Sequence, residues 1–330
     1  MKKLSICILS ALGCLAVSSS MAAQFNFKAG TDQPAGSSYA TLLEDFAKTV
    51  HANSDGRIHI KVYPAAQLGS ELELAQGLRL GTVDFTATSV GNISSLLPKV
   101  AILGAPYIFE NIEHRQKVIS DDTAFYAALE DYVNHSNVGV KLLGVTTAGI
   151  RSLYNSKRPV KTLDDLKGMK VRTLTSEEQV QGWENLGARP TPIAFSELYS
   201  ALQTGVVDGA ENSPEFYYSM KHYEQAPYYT LTDHMMATGL FMVSNLAWKK
   251  LPDDLKKIVL EAGHAASRRE QQFDMDMSAK YMEKLKAEGI KINEIDKGPW
   301  IERSLPLQDR LAKKVDAEKM LGLIRQAGSR

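Results

Sequence analysis

Short alternations of apolar and polar residues, separated by helical stripes, organise the N-terminal part of this chain. Phe25, Phe27 and Ala29 alternate with polar neighbours and predict a strand, followed by turn chemistry over residues 30–36. Leu42, Leu43, Phe46, Ala47 and Val50 then recur at helical spacing, with Ser37 or Ser38 as the cap. Asn53-Ser54-Asp55-Gly56 turns the chain into Ile58, Ile60 and Val62, a period of two that marks a second strand. Residues 71–80 predict a helix closed by Gly81, and residues 83–88 the next strand. Alternation of this kind favours an α/β fold with a mostly parallel sheet and helices on its faces.

Further along, the pattern predicts a helix over 112–134, a strand beginning at Val140, and a break in turn residues over 155–159. Beyond it come a strand at Val171, a helix over 177–186 ending at Gly187, a helix over 196–204 ending at Gly205, a strand over 206–208 and another over 239–243. From Pro252 to Glu288 the apolar residues Leu255, Ile258, Val259, Ala262, Ala266, Phe273, Met277, Tyr281 and Leu285 lie on a nearly continuous helical stripe. Proline at its start and Gly289 after its end fit one helix. Such a helix of ~37 residues would reach ~55 Å, longer than either of two lobes. Two helices broken near Gly263 or Arg268 are the alternative. The expected division is residues 24–154 with 239–275 in one lobe, and 155–238 with 276–330 in the other.

Composition adds a compartment. Lys2 and Lys3, an apolar run over 4–17 and a small-residue end make a secretory signal peptide over residues 1–23, cut after Ala22 or Ala23. The run is too short for an ordinary membrane anchor, and no later stretch is long and apolar enough for one. A lipoprotein reading through Cys14 fits the residues before it poorly. Both cysteines, Cys7 and Cys14, lie in this segment, so the exported chain has no thiol chemistry and no disulfide. Loss of Lys2 and Lys3 leaves 36 basic against 38 acidic residues, a net charge of −2. Nothing in that balance points to nucleic acid or to a membrane surface. With 44% hydrophobic residues in 330, the chain is long enough for two modest cores.

No metalloprotease, nucleophile-elbow, dinucleotide or phosphate-loop motif occurs, and the seven histidines form no metal pattern. No cofactor and no metal are expected. The paired acids Glu177-Glu178 and Asp253-Asp254 sit where helices begin, and there they favour the helix dipole without any catalytic role.

One stretch is more specific. Gly168-Met169-Lys170-Val171-Arg172-Thr173, then residues 187–195, then Glu197-Leu198-Tyr199 and Gly205-Val206-Val207-Asp208-Gly209-Ala210-Glu211-Asn212 resemble the ligand-binding core of TRAP transporter substrate-binding proteins. The resemblance extends from Tyr63-Pro64 to Leu251-Pro252. It implies a two-lobed periplasmic binding protein with a hinged cleft, a long helix bracing both lobes, and no enzymatic activity. It also implies an organic acid as ligand, membrane permease subunits as partners, and a receptor that acts as a monomer without entering the membrane.

Position by position, the resemblance makes Arg172 the carboxylate clamp, Asn212 a polar contact beside it and Phe195 an apolar wall. Chemistry agrees about the arginine: its planar fork matches a carboxylate in two parallel hydrogen bonds and keeps its charge. Arg151 and Arg158 compete for a second arginine position, and Ser176 is a further candidate. Glu71, Ser89 and Asn92, with Thr31 or Asp32, would come from the first lobe. Trp183 and Tyr199 are expected to pack. Ser89 stands where sialic-acid-binding members carry glutamate, and Asn92 where they carry arginine. A smaller polyhydroxylated acid, a hexuronate or aldonate, is therefore the expected ligand, since amides and hydroxyls both donate to and accept from sugar hydroxyls. A four-carbon dicarboxylate is the second expectation and an oxo acid bound through a metal the third. From other classes, a secreted sugar-acid enzyme and a sensor that presents its ligand to a membrane receptor remain open.

Overall fold

The computed structural model describes residues 23–174 and 176–328. Residues 1–22 of the expected signal segment, with both cysteines and Ala22, lie outside the described residues, as does the end of the chain at Ser329 and Arg330. Among the described residues nine strands form one sheet: β1 (Phe25–Gly30), β2 (Ile58–Tyr63), β3 (Phe85–Ser89), β4 (Val140–Asn155), β5 (Lys170–Thr173), β6 (Arg189–Pro192), β7 (Gly209–Asn212), β8 (Tyr228–Ser244) and β9 (Lys291–Glu294). Their order is β2-β1-β3-β8-β4-β7-β5-β6, with β9 added alongside β8.

The expected parallel pairing holds inside each lobe, for β1 with β2 and β3, and for β5 with β6 and β7. The centre is different. β3 with β8, β8 with β4, and β4 with β7 all run antiparallel. The physical reason is connectivity: the chain crosses from one lobe to the other in β4 and returns in β8, so the two must oppose each other. At 16 and 17 residues they are long enough to serve both lobes. Their register shifts at Leu142/Gly144, Thr147/Ile150 and Arg151/Leu153, which bends the crossing where the lobes join.

The long stripe is one helix, Asp253–Ala287, of 35 residues, about 52 Å at 1.5 Å per residue. Its first half places Leu255, Val259, Ala262 and Ala266 in a core with Phe46, Phe85 and Phe241. Leu285, near its other end, packs with Tyr154, Tyr217 and Tyr229 in a second core. Between these apolar ends the buried carboxylates of Glu270 and Asp274 accept hydrogen bonds from the backbone N–H groups of Thr147 (3.0 Å) and Gly149 (2.8 Å). One helix thus joins both cores and grips β4 at its bend. Among the described residues no helix is long and apolar enough to cross a membrane.

Three other expectations shift. The helix expected over 112–134 is two, Ile112–Ile119 and Ala124–Asn134, because Thr123 caps the second by accepting from Tyr126 N and donates to the Val118 carbonyl at 2.7 Å. The strand expected over 206–208 lies just beyond, as β7. The chain end also departs from the expected division. Leu311, Ala312, Met320, Leu321 and Ile324 pack against Phe125, Leu129 and Val133 of the first lobe, because their apolar stripe covers that helix.

Candidate functional site

The carboxyl ends of β1 and β3 face those of β5 and β7 across a crevice, the place where open α/β sheets leave room for a ligand. It encloses about 500 Å³ of space free of atoms, part of it open to solvent. Arg172 on β5, Asn212 on β7 and Arg151 on β4 line one side; Glu71, Ser89, Asn92 and Asp32 line the other. Phe195 and Phe216 form an apolar wall, edge to face with ring centres 5.8 Å apart.

Arg172 is 1% exposed. Its Nε–H donates to the Ile193 carbonyl at 2.8 Å, and its Nη1 has no protein partner among the described residues. Burial draws its guanidinium below the ordinary value, Glu211 opposes this and Arg151 adds to it. It stays a cation all the same. The buried His222 ring behind it is pushed down to about 3, first by burial and then by the Arg172 charge, and so stays neutral.

Arg151 is differently placed. Its Nε–H and Nη2–H donate to the two carboxylate oxygens of Glu211 at 2.5 and 2.6 Å, Nη2–H also to the Glu211 carbonyl, and Nη1–H to Asn212 Oδ1 at 2.8 Å. Four of its five donors are thereby engaged. Burial alone would raise Glu211; the Arg151 guanidinium outweighs it and brings the carboxyl down to about 2. Asn212 Oδ1 accepts from Ser213 N as well, which fixes the amide and leaves its NH₂ as a donor.

The competing Arg158 is exposed on the loop after β4, where its Nη2–H donates to the Asp165 carbonyl. Strand geometry separates the two arginines: Arg151 lies within the crossing strand, Arg158 past its end. Ser176 is buried at the start of helix Glu177–Leu186, after the chain has turned away, and does not line the crevice. Thr31 is buried outside it, accepting from Gln33 N, whereas Asp32 faces in. Trp183 packs as expected, against His234; Tyr199 lies outside the crevice, donating to Glu224.

Ser89 and Asn92 line the crevice and also hold Glu71. Its Oε2 accepts from Ser89 N (2.9 Å), Ser89 Oγ (2.5 Å), Asn92 Nδ2 (2.8 Å) and Thr88 Oγ1 (3.4 Å). Every one of these bonds falls on the same oxygen. Asp32 stands well above the ordinary carboxylate range, through burial first and the Glu71 charge second, and its Oδ1 has no partner among the described residues. Sequence reasoning missed Glu211 as the partner of Arg151, and missed Tyr39, Phe216 and Met235 as lining. The only signal for Glu211 was an acid next to Asn212 in the motif, and the other three lie outside any motif that marks a site.

A two-lobed sheet with a buried, under-used guanidinium in the crevice defines the class: a solute-binding protein. The chain belongs to the bacterial extracellular solute-binding protein family 7, whose model matches residues 29–314. A solute-binding protein of Chromohalobacter salexigens is 32% identical over 273 residues, 82% of this chain and 80% of that one. The sialic acid-binding periplasmic protein SiaP of Vibrio cholerae is 30% identical over 305 residues, 92% of each chain. Among solved structures, a TRAP periplasmic solute-binding protein from Sulfitobacter sp. NAS-14.1 with bound β-D-galacturonate matches with TM-score 0.85 at 30% identity, covering 91% of this chain and 99% of that one. One from Chromohalobacter salexigens with bound D-glucuronate matches with TM-score 0.86 at 30% identity, covering 92% and 100%.

Proposed function

We propose that this protein is the periplasmic receptor of a TRAP transporter, and that it captures a sugar acid, a hexuronate or related aldonate, for delivery to the membrane permease. The observation that carries this reading is Arg172, buried in the crevice with its Nη1 donors unpartnered among the described residues. The ligand's carboxylate would take those donors and the Asn212 amide. Glu71 would accept from its hydroxyls, and Phe195 and Phe216 would cover its apolar face. Relatives crystallised with galacturonate, glucuronate and galactonate support the ligand class. The family and these structures are receptors, which supports binding without turnover. The N-terminal segment would be removed on export, giving a mature chain that starts at Ala23 or Gln24.

Magnitudes require contacts on both sides. A hydrogen bond to a charged group contributes roughly 1.5–3 kcal/mol, whereas micromolar affinity needs about 8 kcal/mol. Arg172 alone is insufficient, so hydroxyl contacts to the opposite wall and burial supply the remainder. A ligand touching both walls favours the closed form, because only differential affinity shifts such an equilibrium.

Arg172→Lys keeps the charge and removes the fork. Calorimetry with D-glucuronate and D-galacturonate is expected to show binding weaker by about tenfold or more, with thermal unfolding of the free protein unchanged. An unaltered dissociation constant would refute the clamp.

A further inference from the structure

The charges around the crevice are unevenly laid out. Among the described residues its lining holds two cations, Arg151 and Arg172, and two carboxyls, Asp32 and Glu71. Arg151 is already neutralised by Glu211 behind it. Arg172 is thus the one cation available to a ligand, and it stands on the side opposite both carboxyls. Among the described residues Glu71 is anchored through Oε2, which turns Oε1 into an acceptor of fixed position. Asp32 is more than nine-tenths buried, and its Oδ1 has no partner among the described residues. A ligand held by its acid group at Arg172 occupies that cation and points its other end at two carboxyls.

We propose that Asp32 and Glu71 form an acid-excluding wall, so that the site accepts polyhydroxylated monocarboxylates and rejects diacids of the same carbon skeleton, with Asp32 as a specificity-determining residue. The inference rests on Arg172 being the carboxylate clamp. A hydroxyl donates to a carboxylate oxygen, and a second carboxylate cannot. It would be buried beside Glu71 without a counter-ion, the costly arrangement for any charge.

Calorimetry at neutral pH with D-glucuronate, D-gluconate and D-glucarate tests this, on the wild type, Asp32→Asn and, should that variant fold poorly, Asp32→Ser. The wild type is expected to bind at least one monoacid about 100-fold more tightly than D-glucarate, and the variants to narrow that ratio about tenfold by gaining affinity for the diacid. Equal wild-type affinity for D-glucarate and the monoacids, or a ratio unmoved in the variants, would overturn the wall while leaving the clamp standing, because monoacid binding would still depend on Arg172. If none of the three acids binds, the sugar-acid reading falls and the wall falls with it.

Discussion

Arg151 and Arg172 share a buried setting and differ in what their donors touch. Arg151 is spent on Glu211 and Asn212, so its first role is to hold the floor of the site. A buried pair of this kind contributes little net stability while intact, yet losing one partner strands the other as an unpaired charge. Arg151→Met should therefore lower unfolding free energy by about 3–5 kcal/mol, measured by denaturant titration. Glu211 sets the sign on the acid side: its depressed carboxyl contributes stability above the ordinary carboxylate range that is lost as pH falls to about 2. The residue types were legible in sequence, since an arginine and an asparagine in the motif announced the site. The assignment of Ser89 and Asn92 to Glu71 was not, because a side chain that lines a crevice and one that braces its neighbour carry the same letters.

The long helix and the helix Pro214–Ser219 meet in a polar seam, where Glu215 is 1% exposed and Asp274 lies close. Burial, and then the Asp274 charge, raise the Glu215 carboxyl to about 8. The folded protein thus keeps a proton that the unfolded chain releases above about pH 4.3. Stability from this group is complete below that point and declines as pH rises towards about 8. Glu215→Gln should raise the melting temperature at pH 8, with the gain vanishing near pH 4; calorimetric scans across that range would show it. At this scale the periodic helices and their caps were readable from local pattern. The break at residues 120–123 was not, because Thr123 pairs with both neighbouring turns and ends a stripe that hydrophobic spacing alone would continue.

The two lobes share β4, β8 and the long helix, and the bend in β4 coincides with the backbone groups held by Glu270 and Asp274. Gly149 sits in that bend at φ +77°, and a Cβ there would meet Ser213 Cβ at 2.3 Å, so the strand passes close beneath the neighbouring helix only because it carries glycine. Such a joint suits hinge motion in which ordered lobes rotate around a few bent residues. Small-angle scattering with D-glucuronate at saturation should give a smaller radius of gyration than the free protein. An unchanged radius would count against closure.

By itself the sequence determined what depends on neighbours along the chain: the strand-helix alternation, the long helix with proline before it and glycine after, and the motif that carries Arg172 and Asn212. Tertiary structure decided what depends on residues far apart. It placed Arg151 in the crevice and Arg158 on the surface, joined Arg151 to Glu211 across 60 positions, and set Glu71 beside Ser89 from 18 positions away. It also turned the centre of the sheet antiparallel and brought the last helix, Glu318–Gln326, into the core of the first lobe. Periodicity records which face of an element is buried, and the identity of the partner on that face is fixed only when the elements pack.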